Sequence, residues 1–192
     1  RAPPAFNHEQ PGVTRSQSFN DACMSSPKGW TVISRSTCVG RGREAYERAR
    51  ALLTRWRVMD NVAWAGVLSP AKKNEEKESP VVTYAKCYGG LMWVRNPCRQ
   101  VYEDVDVPLK HRARDADCFF NQLSPSARLS QVAYSTLQGH LIRGEERLAV
   151  LWDGYEPSKD PSSSELGRVY FAIRSVSAGS GLVGSLLFPF MR

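Results

Sequence analysis

Histidine is scarce in this chain, cysteine is odd in number, and long apolar runs are missing. The 192 residues hold 3 His and 5 Cys. Cys23, Cys38, Cys87, Cys98 and Cys118 are widely spaced and form no C-x-x-C pair; His8, His111 and His140 are as scattered. Zinc needs closely spaced thiolate and imidazole ligands, so this pattern speaks against a metal site. An odd cysteine count in a domain of this size speaks against a disulfide framework. The thiols are expected to be reduced and packed as small apolar groups, in a reducing compartment. No motif implies a cofactor. No segment reaches the roughly 20 apolar residues of a membrane span.

What the chain has is positive charge. Lys and Arg number 26 against 19 Asp and Glu, a net charge of +7. Arginine supplies most of it, and guanidinium makes forked bonds to carboxylate or phosphate. An acidic protein partner, an anionic membrane surface or nucleic acid would each suit this balance. The arginines are dispersed and no nucleic-acid motif accompanies them, so nucleic acid is the least expected. The length and a hydrophobic share of 42% fit one globular domain with additions at its ends.

Residues 1–29 are polar and interrupted by Pro3, Pro4, Pro11, Gly12, Pro27 and Gly29. They read as an extended arm outside the core. The start at Arg1-Ala-Pro-Pro, with Glu9 as the one acid in the first twenty residues, faintly resembles the end of an organellar transit peptide.

The domain proper is read as 30–192. Strands are expected at 30–39, 62–68, 81–88, 91–94, 99–105, 131–142, 145–152 and 169–176, with a turn at Arg143-Gly144. The clearest helix runs from Arg43 to Arg57, with Ala45, Ala49, Leu52, Leu53 and Trp56 as its apolar stripe. Glu44 and Glu47 near its start, and Arg55 and Arg57 in its last turn, suit the helix dipole. Residues 69–80 form a charged, solvated loop, and 106–131 are less regular. This order gives an α+β fold, an antiparallel sheet packed on a helix.

Two segments carry the most specific pattern: Gly40-Arg-Gly-Arg-Glu-Ala-Tyr-Glu47 and Tyr134-Ser-Thr-Leu-Gln-Gly-His-Leu-Ile-Arg-Gly-Glu-Glu146. Asn96-Pro-Cys-Arg-Gln-Val-Tyr102 supports them. Together they resemble DUF1990, a domain of unknown function found in plants and actinobacteria. The resemblance runs from about Trp30 to Phe190. It departs at Ser135, where the family has Gly, and at 106–131, which look like an insertion. It departs again at the C-terminus, where the family continues into a longer basic helix and this chain has a shortened apolar one. The resemblance implies the helix-grip architecture of START and Bet v 1-like proteins. It names no reaction.

Several residues are candidates for a site. Trp93, Tyr102, Trp152, Tyr170 and Phe171 fall on or near expected strands. They either line a pocket for an apolar ligand between sheet and helix or fill it. Tyr134, Thr136, Gln138 and His140 would alternate onto one strand face, with Glu145 or Glu146 near His140. His140 could then serve as an acid or base, or simply fix the hairpin; the structural role is expected. Ser135 has no G-x-S-x-G elbow around it. Gly40 to Gly42 could hold an anion at the helix start, but a tight strand-to-helix turn is expected, since the segment extends into no Walker loop.

The function expected from these features is that of a non-enzymatic accessory subunit of a larger organellar complex. The basic surface and apolar tail suit a membrane-associated assembly, in the chloroplast rather than the mitochondrion, with a photosystem as the example in view. Arg1, Pro3, Phe6, Leu186, Leu187 and Phe188 are assigned to partner contacts. The alternatives are a binding or carrier domain for an apolar ligand such as a lipid or pigment, and an enzyme using His140.

Overall fold

A computed structural model describes residues 4–9, 11–15, 29–60, 62–63, 65–69, 80–87, 92–109, 123, 127–153 and 167–187. Runs rich in β-branched and aromatic residues form seven strands: β1 (Trp30–Arg41), β2 (Ala65–Ser69), β3 (Pro80–Cys87), β4 (Met92–Pro108), β5 (Arg128–Thr136), β6 (Ile142–Trp152) and β7 (Arg168–Gly179). They make one sheet in the order β1-β7-β6-β5-β4-β3-β2, with every pairing antiparallel. Strands β2 to β7 therefore meander, while β1 lies beside the last strand. Helix α1 (Gly42–Thr54) leads from the β1 edge toward the β2 edge and packs across one sheet face. The fold is α+β, an antiparallel sheet against one helix. A short helix, α2 (Gly181–Leu187), follows β7.

The buried stripe of α1 differs from the expected one. Tyr46, Leu53 and the following Trp56 are buried, with Ala45 and Ala49 packed beside them. Leu52 is 44% exposed. Spacings of 4, 3, 4 and 3 from Gly42 through Tyr46, Ala49 and Leu53 to Trp56 define the face, and Leu52 falls off it. The helix also ends earlier than expected, at Thr54. Arg55 and Arg57 thus lie past its last turn, which holds no basic residue. Trp56 takes a left-handed φ of 58° there and turns its indole under the helix end. A bulky side chain in that region signals backbone strain held by its packing.

Three strand boundaries also need correction. Met92–Pro108 is one strand, not two divided near Pro97. The Pro97 carbonyl accepts from Leu137 N at 3.0 Å, just outside the β4–β5 ladder that begins at Cys98 and Thr136. The N–H and C=O of one strand residue point the same way, so the missing N–H removes no ladder bond. Residues 106–108 and 128–130, expected to be irregular, extend β4 and β5. A bulge between Asp104 and Val107 puts Asp106 at φ 52°.

The third boundary concerns the hairpin turn. β5 stops at Thr136 and the turn is 137–141, so Gln138 and His140 are not on a strand. Gly144 lies inside β6, at φ 145°. A Cβ there would stand 2.1 Å from the Val176 carbonyl oxygen. This glycine serves close approach of β6 to β7, not the turn.

Residues 4–9 and 11–15, part of the expected extended arm, lie against the sheet. Phe6 bridges to Leu137, and its ring receives the Arg99 guanidinium at 5.1 Å. Val13 and Thr14 are buried. The physical reason is a carboxylate on the face opposite α1: Glu145 accepts from Thr14 N at 2.9 Å, from Thr14 Oγ1, from Gly12 N and from Ser135 Oγ at 2.7 Å. Arg15 pairs with Asp104, which also accepts from Gln131 Nε2 at 2.8 Å. Polar residues hold this segment down where apolar periodicity is lacking.

Among the described residues no helix is long and apolar enough to cross a membrane, and no cluster of His, Cys, Asp or Glu could hold a metal ion. Cys38 is exposed and Cys98 buried, both as free thiols. Arg1, Pro3, Phe188 and the loop at 70–79 lie outside the described residues, as do the side chains of Leu186 and Leu187.

Candidate functional site

The face under α1 is apolar at its centre. Leu148, Val150 and Trp152 of β6 are 0–3% exposed and meet Tyr46, Leu53 and Trp56 of the helix region. Tyr46 stacks on Trp152 at 5.7 Å between ring centroids, and Trp56 lies on Tyr134 at 5.5 Å. Edge and offset ring contacts of this kind stabilise by about 0.5–1.5 kcal/mol beyond burial. The aromatic layer is therefore packed on itself between helix and sheet.

Burial falls off along the same face. Two residues before Leu148 comes Glu146, which is only half-buried. It occupies a cross-sheet row with Ile33, Ser175, Tyr134 and Gln100. Ile33, Ser175 and Gln100 are half-buried too. The row is the margin of the α1-covered area. Tyr134 OH donates to Glu146 Oε1. Burial pushes the Glu146 carboxyl above its usual range, and the Tyr134 bond only partly opposes this. The Tyr134 hydroxyl is pushed well above its usual value by burial and by the adjacent carboxylate. Cys98, on the neighbouring strand, is pushed up to about 12 by burial and then by Glu146. Its thiol stays protonated and is a poor nucleophile.

The other candidates lie elsewhere. Trp152 and Phe171 share the α1 face, the first in the core and the second beside it. Tyr102 is on the opposite face, where its hydroxyl meets Thr14 Oγ1 at 2.7 Å; burial raises it to about 12. Tyr170 packs on that face too. Trp93 is 57% exposed, its ring 4.8 Å from Tyr84. His140 is in the hairpin turn. Its Nδ1 accepts from Ile142 N at 2.9 Å, and burial lowers it to about 4. It is neutral at physiological pH and ties the turn to the start of β6.

The sequence points to Tyr134 and suggests Glu146 only as a neighbour of His140. The signal available was Tyr134 and Glu146 twelve residues apart across a hairpin; placing the turn at 143–144 hid it. A second pattern lies near the C-terminus. Gly179-Ser-Gly-Leu-Val-Gly184 spells G-x-G-x-x-G between a strand and a helix. Here the glycines serve packing: a Cβ on Gly184 would stand 2.0 Å from the Leu141 carbonyl oxygen, and one on Gly179 would stand 2.4 Å from Ser185 Cα. The sheet around them is antiparallel, not the parallel βαβ unit a dinucleotide needs.

A family model described as a domain of unknown function, DUF1990, matches residues 14–192. The chain belongs to that family. The match starts at Thr14, ahead of β1, and so takes in part of the segment held by Glu145. The chain is also similar to UPF0548 protein At2g17695 of Arabidopsis thaliana, at 27% identity over 164 residues. The match covers 85% of this chain, and the chain spans 65% of that relative's length. A crystal structure of DR_A0006 from Deinococcus radiodurans is similar at 13% identity with a TM-score of 0.40, covering 83% of this chain and 93% of that one.

Proposed function

We propose that this DUF1990 domain is a non-enzymatic binding domain. Its ligand is a small molecule with an apolar body and one polar group, seated on the α1 face at Glu146 and Tyr134. The observation that carries this reading is the half-buried Glu146 carboxylate at the margin of an aromatic layer, bonded by Tyr134. An apolar surface with one fixed polar group is the usual make-up of a small-ligand site. The helix-grip likeness, in which ligands lie between sheet and helix, agrees with the face chosen. Binding fits better than catalysis because the acid–base candidates have structural partners: His140 holds its turn and Glu145 holds the N-terminal segment. The test is to add hexanol and follow Trp56 indole and Glu146 backbone resonances. Saturable shifts confined to these groups support the reading; shifts spread over exposed residues, or none, oppose it.

A second reading keeps the protein as an accessory subunit of a larger organellar assembly. Leu182 is 88% exposed and Trp93 57% exposed, side chains that a partner would cover. Tagged protein isolated from its own cells would bring down stoichiometric subunits if this is right, and would come down alone if it is wrong.

A further inference from the structure

We infer that the polar group of the ligand is a cation: the Glu146 site takes the ammonium or substituted ammonium head of an amphiphilic amine. This inference rests on the binding reading above and narrows it.

Other buried or partly buried carboxylates of the chain have a cationic partner or several donors. Asp104 pairs with Arg15. Asp106 pairs with Arg128 at 2.7 Å and approaches Arg50 at 3.9 Å. Glu145 takes two backbone N–H groups and two hydroxyls. Glu146 differs. Among the described residues no Arg or Lys pairs with it, in a chain with 26 basic residues. The bond it receives comes from the neutral Tyr134 hydroxyl. A carboxylate withdrawn from water without a counter-charge is costly, and structures normally supply one.

The surroundings match what a cation needs. Tyr134 carries Trp56 on its ring at 5.5 Å, so carboxylate and indole both border the same phenol. Both rings are buried, Trp56 at 5% and Tyr134 at 8% exposure, so the half-buried carboxylate is the group at this margin that meets a cation. The left-handed φ of 58° at Trp56 shows that the chain accepts backbone strain to put the indole there. Ser175, directly beside Glu146 on β7, can take a further N–H group of a primary amine, and Ile33 beyond it suits the alkyl part. The nearest cation on β6, Arg147, is on the opposite face and donates to Thr14 O at 3.4 Å. The raised Glu146 carboxyl agrees: an incoming cation supplies the charge partner that favours the ionised form.

The experiment compares hexylamine, hexanol and hexanoate on the full chain at neutral pH, by calorimetry with the same resonances as a check. Hexylamine is expected to bind at least about tenfold tighter than hexanol, and hexanoate not at all. In Glu146→Gln the amine should lose that advantage and bind no tighter than hexanol binds the same variant. Glu103→Gln removes an exposed carboxylate outside the site and should keep the amine preference, which separates Glu146 from a general effect of lost negative charge. Hexanol binding as tightly as hexylamine overturns this inference and leaves the binding reading standing. An amine preference that survives Glu146→Gln also overturns it. If none of the three binds, both fail.

Discussion

Glu145 and Glu146 are adjacent in sequence and face opposite sides of the sheet. Glu145 stands opposite Ser135 and holds the N-terminal segment; Glu146 stands opposite Tyr134 on the α1 face. The alternation of a strand turns one acidic dipeptide into two separate devices. One closes the fold. The other is half-buried and takes one neutral donor.

Removing the first device should release the segment it holds. Hydrogen bonds to a charged acceptor contribute about 1.5–3 kcal/mol each, so Glu145→Ala should cost at least about 3 kcal/mol. Residues 4–15 should become cleavable by trypsin at Arg15 under native conditions. Mass spectrometry of short digests checks this; a cleavage rate equal to the parent's would show that the segment is held by other contacts.

The helix face gives a paired test. Leu53 is 1% exposed and Leu52 44% exposed. Leu53→Ala should cost about 2–5 kcal/mol and Leu52→Ala less than about 0.5 kcal/mol in urea melts. Equal losses at the two positions would mean that the stripe is misassigned.

Gly144→Ala is expected to be among the most damaging single changes. The added methyl would collide with backbone of β7, which cannot swing aside as a side chain can, and the φ of 145° disfavours any Cβ. A loss above about 3 kcal/mol, or failure to fold, is expected. A soluble variant that melts within a few degrees of the parent would contradict the β6–β7 register.

Two groups set opposite pH trends. His140 is lowered to about 4, so between that value and its ordinary 6.5 the unfolded chain holds the extra proton. Its contribution is present above 6.5 and is lost as pH falls toward about 4. Glu146 is raised, so its contribution is present below the ordinary carboxyl value and is lost as pH rises through the folded one. Glu146→Gln should therefore melt higher than the parent at neutral pH, and the gap should shrink toward about pH 4. A gap that widens on acidification would reverse the sign argued for Glu146.

The sheet was legible because its strands are long and rich in β-branched residues, and the helix because Ala49, Leu53 and Trp56 repeat at helical spacing. Tyr46 was missed as a core residue because it reads as part of a motif, and its hydroxyl is satisfied inside by Ser130 at 2.9 Å. The N-terminal packing was not legible. It rests on Glu145 meeting Gly12 and Thr14 more than 130 residues away, and no local periodicity encodes such bonds. The Glu146–Tyr134 pair depended on hairpin register, where a misplaced turn hides which residues face each other.

The proposed ligand position is the Glu146 margin. Photolabelling with a short alkyl amine carrying a diazirine tests it most directly, with the labelled peptides identified by mass spectrometry. Labelling is expected in peptides that contain Trp56, Tyr134 or Glu146, suppressed by excess hexylamine. Labelling at Trp93 or Leu182 instead, with no competition, would contradict it.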